Sequence, residues 1–449
     1  MKEKREKGYG LKLLGLCSGQ VSAGMETAVI SQLTYYLTDS VYMAAATVGI
    51  LLMCTKIFDG FTDALAGFLV DRTHTRWGKA RPYSLLFIPM WVAMVLIFSV
   101  PHVNLKLQIA YVFIMYLIIE AIGRTFIICI QSVLLRRSVY EDDQVKFMTV
   151  GAVFAFVFGI VAAVALPMLI KIYGNTSHGW TIIALIFAVP GTILGFLQFL
   201  FVKEFPVPEK EVKEDTVPFK KGLRALFKNK YAWLFGLVVF LFNLCPALAS
   251  ANATYYFRYI IGDVGALTVV SAMSFISMIL MAFLPKLQKK YGSAKLIRIG
   301  LWVTSISCVC RLLVPTNIYY QGLMAIFGLG GTLPASTFMN IISIDCMKYS
   351  YYQTGLKLEG VVSSVNGVAT KLGAGLGSAA LGLLMGMVGY DGSLAVQPEN
   401  VLNMIRFLYA GLPAITALLC VIVMYFYDLD KKLPAIDAEL AKREAAELI

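Results

Sequence analysis

Long apolar runs separated by short polar segments dominate the hydrophobic pattern of this 449-residue chain. A helix needs about 20 mostly apolar residues to cross a bilayer, and that length divides the pattern into about twelve spans. The predicted spans are 11–37, 43–70, 83–101, 107–135, 146–171, 180–203, 231–261, 264–285, 296–314, 319–344, 360–388 and 403–427. The pattern therefore predicts an all-α membrane protein with about twelve transmembrane helices.

The longest polar segment lies between the sixth and seventh predicted spans, and it opens with Pro206 and Pro208, which disfavour a continuing helix. Two groups of six helices are typical of secondary transporters, which bind substrate near the midplane of the membrane. We therefore expect two pseudo-symmetric six-helix bundles. The predicted organisation is an N-terminal bundle (1–203), a cytoplasmic central linker (204–230), a C-terminal bundle (231–428) and a cytoplasmic tail (429–449).

The composition agrees with a chain that lies in lipid. Hydrophobic residues make up 58% of it and charged residues 15%, whereas soluble chains carry about 45–50% and about 25%. The net charge is +12, and the basic residues are concentrated in alternate loops, as the positive-inside rule requires. We assign this excess to membrane topology rather than to nucleic-acid binding. We expect the protein to lie in the cell membrane (inner or plasma membrane), with both termini on the cytoplasmic side.

Three ionisable residues share one face of the second predicted span. Lys56, Asp59 and Asp63 are spaced i, i+3 and i+7, and Thr62 adds a hydroxyl nearby. A charged residue inside a span costs about 3 kcal/mol on insertion scales, so it indicates function by default. Two adjacent carboxylates repel each other, which favours a bound cation or a shared proton. In the alternative interpretation, Lys56 only neutralises Asp59, and Asp63 then lacks a counter-charge.

Other predicted spans carry charges with two interpretations each. Glu120 and Arg124 form either a self-contained i, i+4 ion pair or a site where the Arg124 fork of donors receives a carboxylate. Lys371, among glycines and alanines, either reaches a polar cavity or pairs with a distant carboxylate. Glu26 either pairs with a base on another span or contacts substrate. The three histidines lie in loops or at span ends, and no nucleophile–base arrangement indicates an enzyme.

Four blocks of sequence resemble the glycoside–pentoside–hexuronide:cation symporters, the family of melibiose permease within the major facilitator superfamily. The resemblance extends over nearly the whole chain. It implies the major facilitator fold and an alternating-access symporter. The blocks are Lys56-Ile57-Phe58-Asp59 through Asp63 with the loop Asp71–Pro82, then Pro218–Asn229, Tyr255-Tyr256-Phe257, and Asp345–Lys371.

The resemblance also implies roles for individual residues. Lys371 matches a lysine beside the family's cation site, and Lys146 falls where the family has a basic sugar contact. The implied cation-binding residues are Asp59, Asp63, Thr62 and Thr125. The candidate substrate-binding residues are Arg124, Lys371, Lys146 and Glu26. The candidate gating residues, in the loop after the second span, are Asp71, Arg72, Arg76 and Lys79. No cofactor is expected apart from the coupling ion, which is H⁺ or Na⁺, and no metal other than Na⁺.

The chain departs from the sugar-binding members of that family at two acidic positions. Their first-helix Asp falls here on Ala23 or Cys17, and their fourth-helix Asp falls on Ile127 or Ile128. Arg124 stands about one turn before the latter position. The loss of two anions and the gain of a cation favour an anionic sugar, such as a uronide, over a neutral galactoside.

The sequence thus predicts cation-coupled symport of a sugar or glycoside. The expected partners are that small molecule and membrane lipid, without nucleic acid, and the protein is expected to be a monomer. Two alternatives stay open at this point. One is a carrier of lipid or another organic solute with the same fold, and the other is a membrane sensor that does not transport.

Overall fold

The computed structural model describes residues 9–205 and 229–440, apart from positions 74, 175, 355–358, 395, 431, 434 and 437. The described residues are mainly helical, and the β-bridge between Thr75 and Gly78 lies in a loop. Helices suit this sequence because lipid offers the backbone no hydrogen-bond partners, so each spanning segment must satisfy its own N–H and C=O groups.

The helices before the central segment begin with a broken pair, α1 and α2. A π-helical segment joins α5 to α6 without interrupting the rod. The bounds are α1 (Tyr9–Ile30), α2 (Leu33–Asp39), α3 (Ala45–Arg72), a 3₁₀ segment (Arg81–Leu86), α4 (Phe87–Ile97), α5 (Leu105–Leu117), a π segment (Ile118–Arg124), α6 (Thr125–Ser138), α7 (Glu141–Tyr173) and α8 (Ser177–Phe201).

The helices after the central segment include two further π-helical segments. The bounds are α9 (Lys230–Tyr256), a π segment (Phe257–Ile261), α10 (Ala266–Ser274), a 3₁₀ segment (Phe275–Met278), α11 (Ile279–Tyr291), α12 (Ser293–Arg311), α13 (Ile318–Thr354), α14 (Glu359–Met387), α15 (Glu399–Arg406), a π segment (Phe407–Gly411) and α16 (Leu412–Tyr425).

Nine helices of the described chain are long and apolar enough to cross a membrane. A pair bent by 54°, Ala266–Met281 with Phe283–Tyr291, forms a tenth candidate span. Ala45–Lys56 and Arg81–Ile97 are shorter apolar helices. These segments correspond one to one with the twelve predicted spans. The protein is therefore an all-α, multi-pass membrane protein, as the hydrophobic pattern predicted.

The described residues form two compact units. The first takes in Met1–Lys210, Phe257–Thr268 and Gly382–Val401, so it includes two segments from late in the chain. Its core contains Leu16, Phe126 and Ile130. A group of buried aromatic residues packs together near the end of α4 and the start of α8. In this group Phe98 stacks on Trp180 with ring centroids 5.6 Å apart.

The second unit takes in Glu211–Tyr256, Val269–Leu381 and Leu402–Ile449. Close packing of α12 on α13 depends on small residues, since a Cβ on Gly300 would collide with the carbonyl oxygen of Gly331. Leu429, Ile436 and Leu440 are buried in the core of this unit. The described part of the segment that the sequence marks as a tail therefore packs on the helices.

Candidate functional site

A buried ion-pair group joins α3 to the π segment that precedes α6. Nζ of Lys56 lies 2.7 Å from Oε2 of Glu120, and Nη1 of Arg124 lies 3.5 Å from Oε1. The Tyr116 hydroxyl donates a hydrogen bond of 3.1 Å to the same Oε1. Glu120 is 3% exposed, whereas Arg124 is 37% exposed. One buried carboxylate thus holds two cations, of which Arg124 is the accessible one.

The π-helical backbone shapes this group. The N–H of Thr125 donates to the carbonyl oxygen of Glu120, five residues earlier, rather than to the residue four before it. Such π turns are rare and occur frequently at functional sites, because the extra residue in the turn changes the direction of nearby side chains. The turn lies where the sequence places Glu120 and Arg124, the charged pair of the fourth predicted span.

Glu26 brings a second buried carboxylate to the same region. It lies on α1, is 2% exposed, and interacts electrostatically with Lys56, Glu120 and Arg124. Its Oε2 accepts a hydrogen bond of 3.3 Å from Thr27, and its Oε1 accepts none from the described residues. Burial of a charged oxygen without hydrogen bonds is costly. Glu26 is therefore a position where a proton or a ligand donor would be stabilised.

The predicted cation-binding residues lie on helices that pack together around this group. Asp59 and Asp63 lie in α3 after Lys56, but their side chains fall outside the described part of the structure. Thr62 is half-buried on the same helix, and Thr125 is buried at the start of α6. Helix α3 contacts α6 and the π segment. The assignment of these residues to a cation site stays a prediction.

Two further predicted substrate residues lie on α7 and α14. Lys146 is exposed on α7, with its Nζ 5.5 Å from the centroid of the Tyr9 ring. Lys371 is exposed on α14, in the second unit. Their roles in substrate binding stay predictions.

The candidate gating residues surround the loop that follows α3. Arg72 ends α3 with its guanidinium 4.0 Å from the centroid of the Phe68 ring, and the Arg76 guanidinium lies 5.0 Å from that of Trp77. The Asp71 side chain lies outside the described residues. Lys79 takes part through its backbone, whose N–H donates to Oε2 of Glu204 at 2.9 Å.

Glu204 anchors this loop, a role that no sequence pattern indicated. Its Oε1 accepts hydrogen bonds of 2.8 Å from the N–H groups of Ala80 and Arg81, next to the bond from Lys79. Successive N–H groups that converge on one carboxylate form an anion-binding nest. Gly78 completes the turn at φ +113°, and a Cβ there would lie 2.5 Å from the Glu204 carboxyl carbon.

A second buried charge group lies at the end of α2. Asp39 Oδ1 is 3.1 Å from Nη1 of Arg258 and accepts a 2.7 Å hydrogen bond from the Tyr259 hydroxyl. Its Oδ2 accepts bonds of 2.6 Å from Tyr390 and 2.7 Å from Thr38. The Asp39 side chain is fully buried. This Asp39 cluster ties α2 to two segments that lie more than 200 residues later in the chain, all within the first unit.

A surface ion pair involves Asp263, which lies in the same segment (Phe257–Thr268) as two partners of Asp39. Lys171, near the end of α7, lies with its Nζ 2.9 Å from Oδ2 of Asp263. The hydrogen bond from Lys171, together with one from the N–H of Gly265, holds the pKa of the Asp263 carboxyl below its usual range. Both partners are about half exposed, so the pair contributes little on its own.

The chain matches the family described as MFS/sugar transport protein over residues 16–431. It belongs to this family. Membership confirms the major facilitator fold and the expectation of a secondary transporter rather than an enzyme. It also confirms the resemblance drawn from the four sequence blocks.

Similar proteins match this chain over most of its length. An isoprimeverose transporter from Lactiplantibacillus pentosus is 28% identical over 93% of this chain and 88% of its own. A glucuronide carrier protein homolog from Escherichia coli (strain K12) is 26% identical over 96% and 95%. The crystal structure of a D-xylose-proton symporter superposes with a TM-score of 0.62 at 14% identity, over 92% of this chain and 97% of that one. This last likeness supports the fold alone.

Proposed function

We propose that this protein carries a sugar or glycoside across the cell membrane in symport with H⁺ or Na⁺. The observation that carries the proposal is the buried group of Glu26, Lys56, Glu120 and Arg124, in a chain that belongs to a sugar transport family. Ionisable residues inside a bundle are expensive and are retained where a substrate or ion passes. The names of the similar proteins, one for isoprimeverose and one for glucuronides, support a sugar substrate.

The accessible cation of the group supports an anionic sugar as the substrate. Arg124 is 37% exposed, and its guanidinium presents a planar fork that suits a carboxylate. Glu120 already holds Lys56 at 2.7 Å, so a substrate carboxylate can approach Arg124 without removing the tighter of the two ion pairs. We therefore favour a uronide or another acidic sugar over a neutral galactoside. Lys146 and Lys371 are further proposed contacts.

Coupling is proposed to depend on the carboxylates of α3. A proton or Na⁺ neutralises Asp59 and Asp63, which lowers the cost of enclosing that helix face when the carrier closes. Oxygen ligands such as carboxylates and the hydroxyls of Thr62 and Thr125 suit a hard cation, and a carboxylate pair suits a proton equally. Only the empty and the doubly loaded carrier change conformation, which couples the two fluxes. The coupling ion is the only cofactor in this proposal.

The membrane orientation follows from the basic loops. We place both termini and the Glu204-anchored loop on the cytoplasmic side of a plasma or inner membrane, and the Asp39 cluster on the opposite side. A monomer suffices for this cycle, because every proposed residue comes from one chain.

Uptake into proteoliposomes tests the proposal. Labelled glucuronide and a neutral glycoside of the same size are offered under an imposed Na⁺ gradient and, separately, under an imposed proton gradient. Uptake driven by one gradient, with preference for the acid, is the expected result. Uptake that neither gradient affects would contradict symport.

A further inference from the structure

The second unit contains a cavity of about 340 Å³ between α9, α10, α12, α13 and α16. Its walls are mainly apolar and include Leu241, Phe242, Leu301 and Leu329. Pockets that hold small molecules measure roughly 300–1,000 Å³ and combine such walls with a few polar groups. The cavity therefore has the size and the chemistry of a small-molecule site.

Four hydroxyl groups in the lining donate hydrogen bonds to nearby backbone carbonyl groups. Ser274 donates to the carbonyl oxygen of Ser271, Thr304 to that of Gly300, and each bond closes within one helical turn. Thr332 and Thr416 make equivalent bonds to carbonyl groups three and four residues earlier. A sugar would need hydroxyl and amide partners along its whole length. This lining therefore suits a hydrocarbon better than a sugar.

Arg311 is the charged residue among the described residues that line the cavity. It is the last residue of α12, its Nε is buried without a hydrogen-bond partner, and its guanidinium lies 5.2 Å from the centroid of the Tyr409 ring. A buried donor that makes no hydrogen bond is destabilising, and a ligand that accepts from it removes that cost. The cavity therefore combines one anion-binding group with apolar walls.

We propose that this cavity binds a single-chain amphipathic carboxylate, such as a medium-chain fatty acid. The carboxylate accepts hydrogen bonds from Arg311, and the chain lies along the apolar residues of α9 and α16. The volume is near the lower end of the range for small-molecule pockets, which suits one short chain and not the two chains of a phospholipid. The described lining belongs to the second unit, whereas Lys56, Glu120 and Arg124 belong to the first.

Binding is measured on the full-length protein in nanodiscs with decanoate, with decanol as the neutral chain of equal length, and with empty nanodiscs to correct for partitioning. Native mass spectrometry counts the bound molecules. A second readout is site-specific, because Cys245 lines the cavity whereas Cys310, also half-buried, does not. Decanoate is expected to slow alkylation of Cys245 and to leave Cys310 unchanged, as resolved by peptide mass spectrometry.

Arg311→Gln is expected to lower decanoate affinity by about tenfold or more, the value of a hydrogen bond to a charged group. Decanol binding should be unchanged in this variant. Arg406→Gln is the matched control, because Arg406 also has a buried Nε without a hydrogen-bond partner but lies outside the lining. Thermal unfolding of each variant establishes that it is folded. The proposal would be overturned if decanoate and decanol bind equally, or if Arg311→Gln leaves decanoate binding unchanged. It would also be overturned by an equal loss of binding in both arginine variants. Preferential binding of a phospholipid or a sugar would overturn it as well.

Discussion

Nζ of Lys56 lies 2.7 Å from Oε2 of Glu120, which joins α3 to the π segment in the interior of the first unit. The sequence left two interpretations open: a self-contained pair of Glu120 with Arg124, or an Arg124 that receives a carboxylate. The structure gives the shorter contact to a lysine of another helix, and Arg124 lies 3.5 Å away. This arrangement leaves Arg124 the more accessible of the two cations.

Removal of the shared carboxylate should destabilise the protein. Glu120→Gln removes the buried carboxylate that Lys56 and Arg124 share, and breaking a buried ion pair costs about 3–5 kcal/mol. We expect a clear fall in Tm for the purified protein in detergent. The double variant Lys56→Met with Glu120→Met should recover part of that loss, because it removes both partners. An unchanged Tm for Glu120→Gln would show that the ion pair does not support the fold.

Arg124 should determine the preference for acidic substrates. Arg124→Gln keeps a hydrogen-bonding side chain but removes the charge, so uptake of a uronide should fall by about 10- to 100-fold relative to its neutral analogue. Competition between the two sugars in proteoliposomes measures the ratio directly. The exposed Arg136, near the end of α6, supplies the control, as Arg136→Gln should leave the ratio unchanged. Undiminished discrimination in Arg124→Gln would remove the argument for an anionic substrate.

The Asp39 cluster should hold the late segments of the first unit in place. Asp39→Asn weakens the ion pair to Arg258 and the charge-assisted bond from Tyr259, each worth about 1.5–3 kcal/mol. Hydrogen exchange in Phe257–Thr268 and Gly382–Val401 should accelerate. Tyr390→Phe removes the hydrogen bonds of this hydroxyl to Asp39 and Tyr259 but keeps the ion pair to Arg258, so it should have a smaller effect. Equal exchange in Asp39→Asn and the wild type would mean that the cluster does not restrain these segments.

The loop after α3 should require glycine at position 78. Gly78→Ala places a Cβ against the Glu204 carboxylate in a left-handed conformation, a strain of about 1–3 kcal/mol. Limited proteolysis should then cleave the loop faster, and transport should slow. Gly10→Ala is a suitable control, because a Cβ there meets nothing within 4 Å. Equal proteolysis of both variants would contradict the anchoring role of Glu204.

The hydrophobic pattern was sufficient to predict the fold. Each predicted span has a helical counterpart because lipid imposes both the length and the apolar character of a span. Details within the helices could not be predicted from this pattern. The π segments, the break between α1 and α2, and the extension of α13 to Thr354 depend on local backbone geometry and polar end residues, which a 20-residue apolar window does not resolve.

The candidate site was predictable only in part. Lys56, Glu120 and Arg124 could be selected from sequence because charges stand out inside apolar spans. Their pairing across helices could not, since packing decides which faces meet. Asp39 and Glu204 were missed for a related reason. Each lies at the end of a helix, where a charge is unremarkable, and the partners of Asp39 lie 220 and 351 residues later.

Gradient-driven uptake by wild type and Asp59→Asn tests the central claim most directly. Proteoliposomes receive labelled glucuronide under a Na⁺ gradient or a proton gradient, and Asp391→Asn, in an exposed loop, is the matched control. The account predicts that one gradient drives accumulation, that Asp59→Asn abolishes the accumulation, and that the control retains it. Accumulation by Asp59→Asn equal to that of the wild type would contradict coupling through α3.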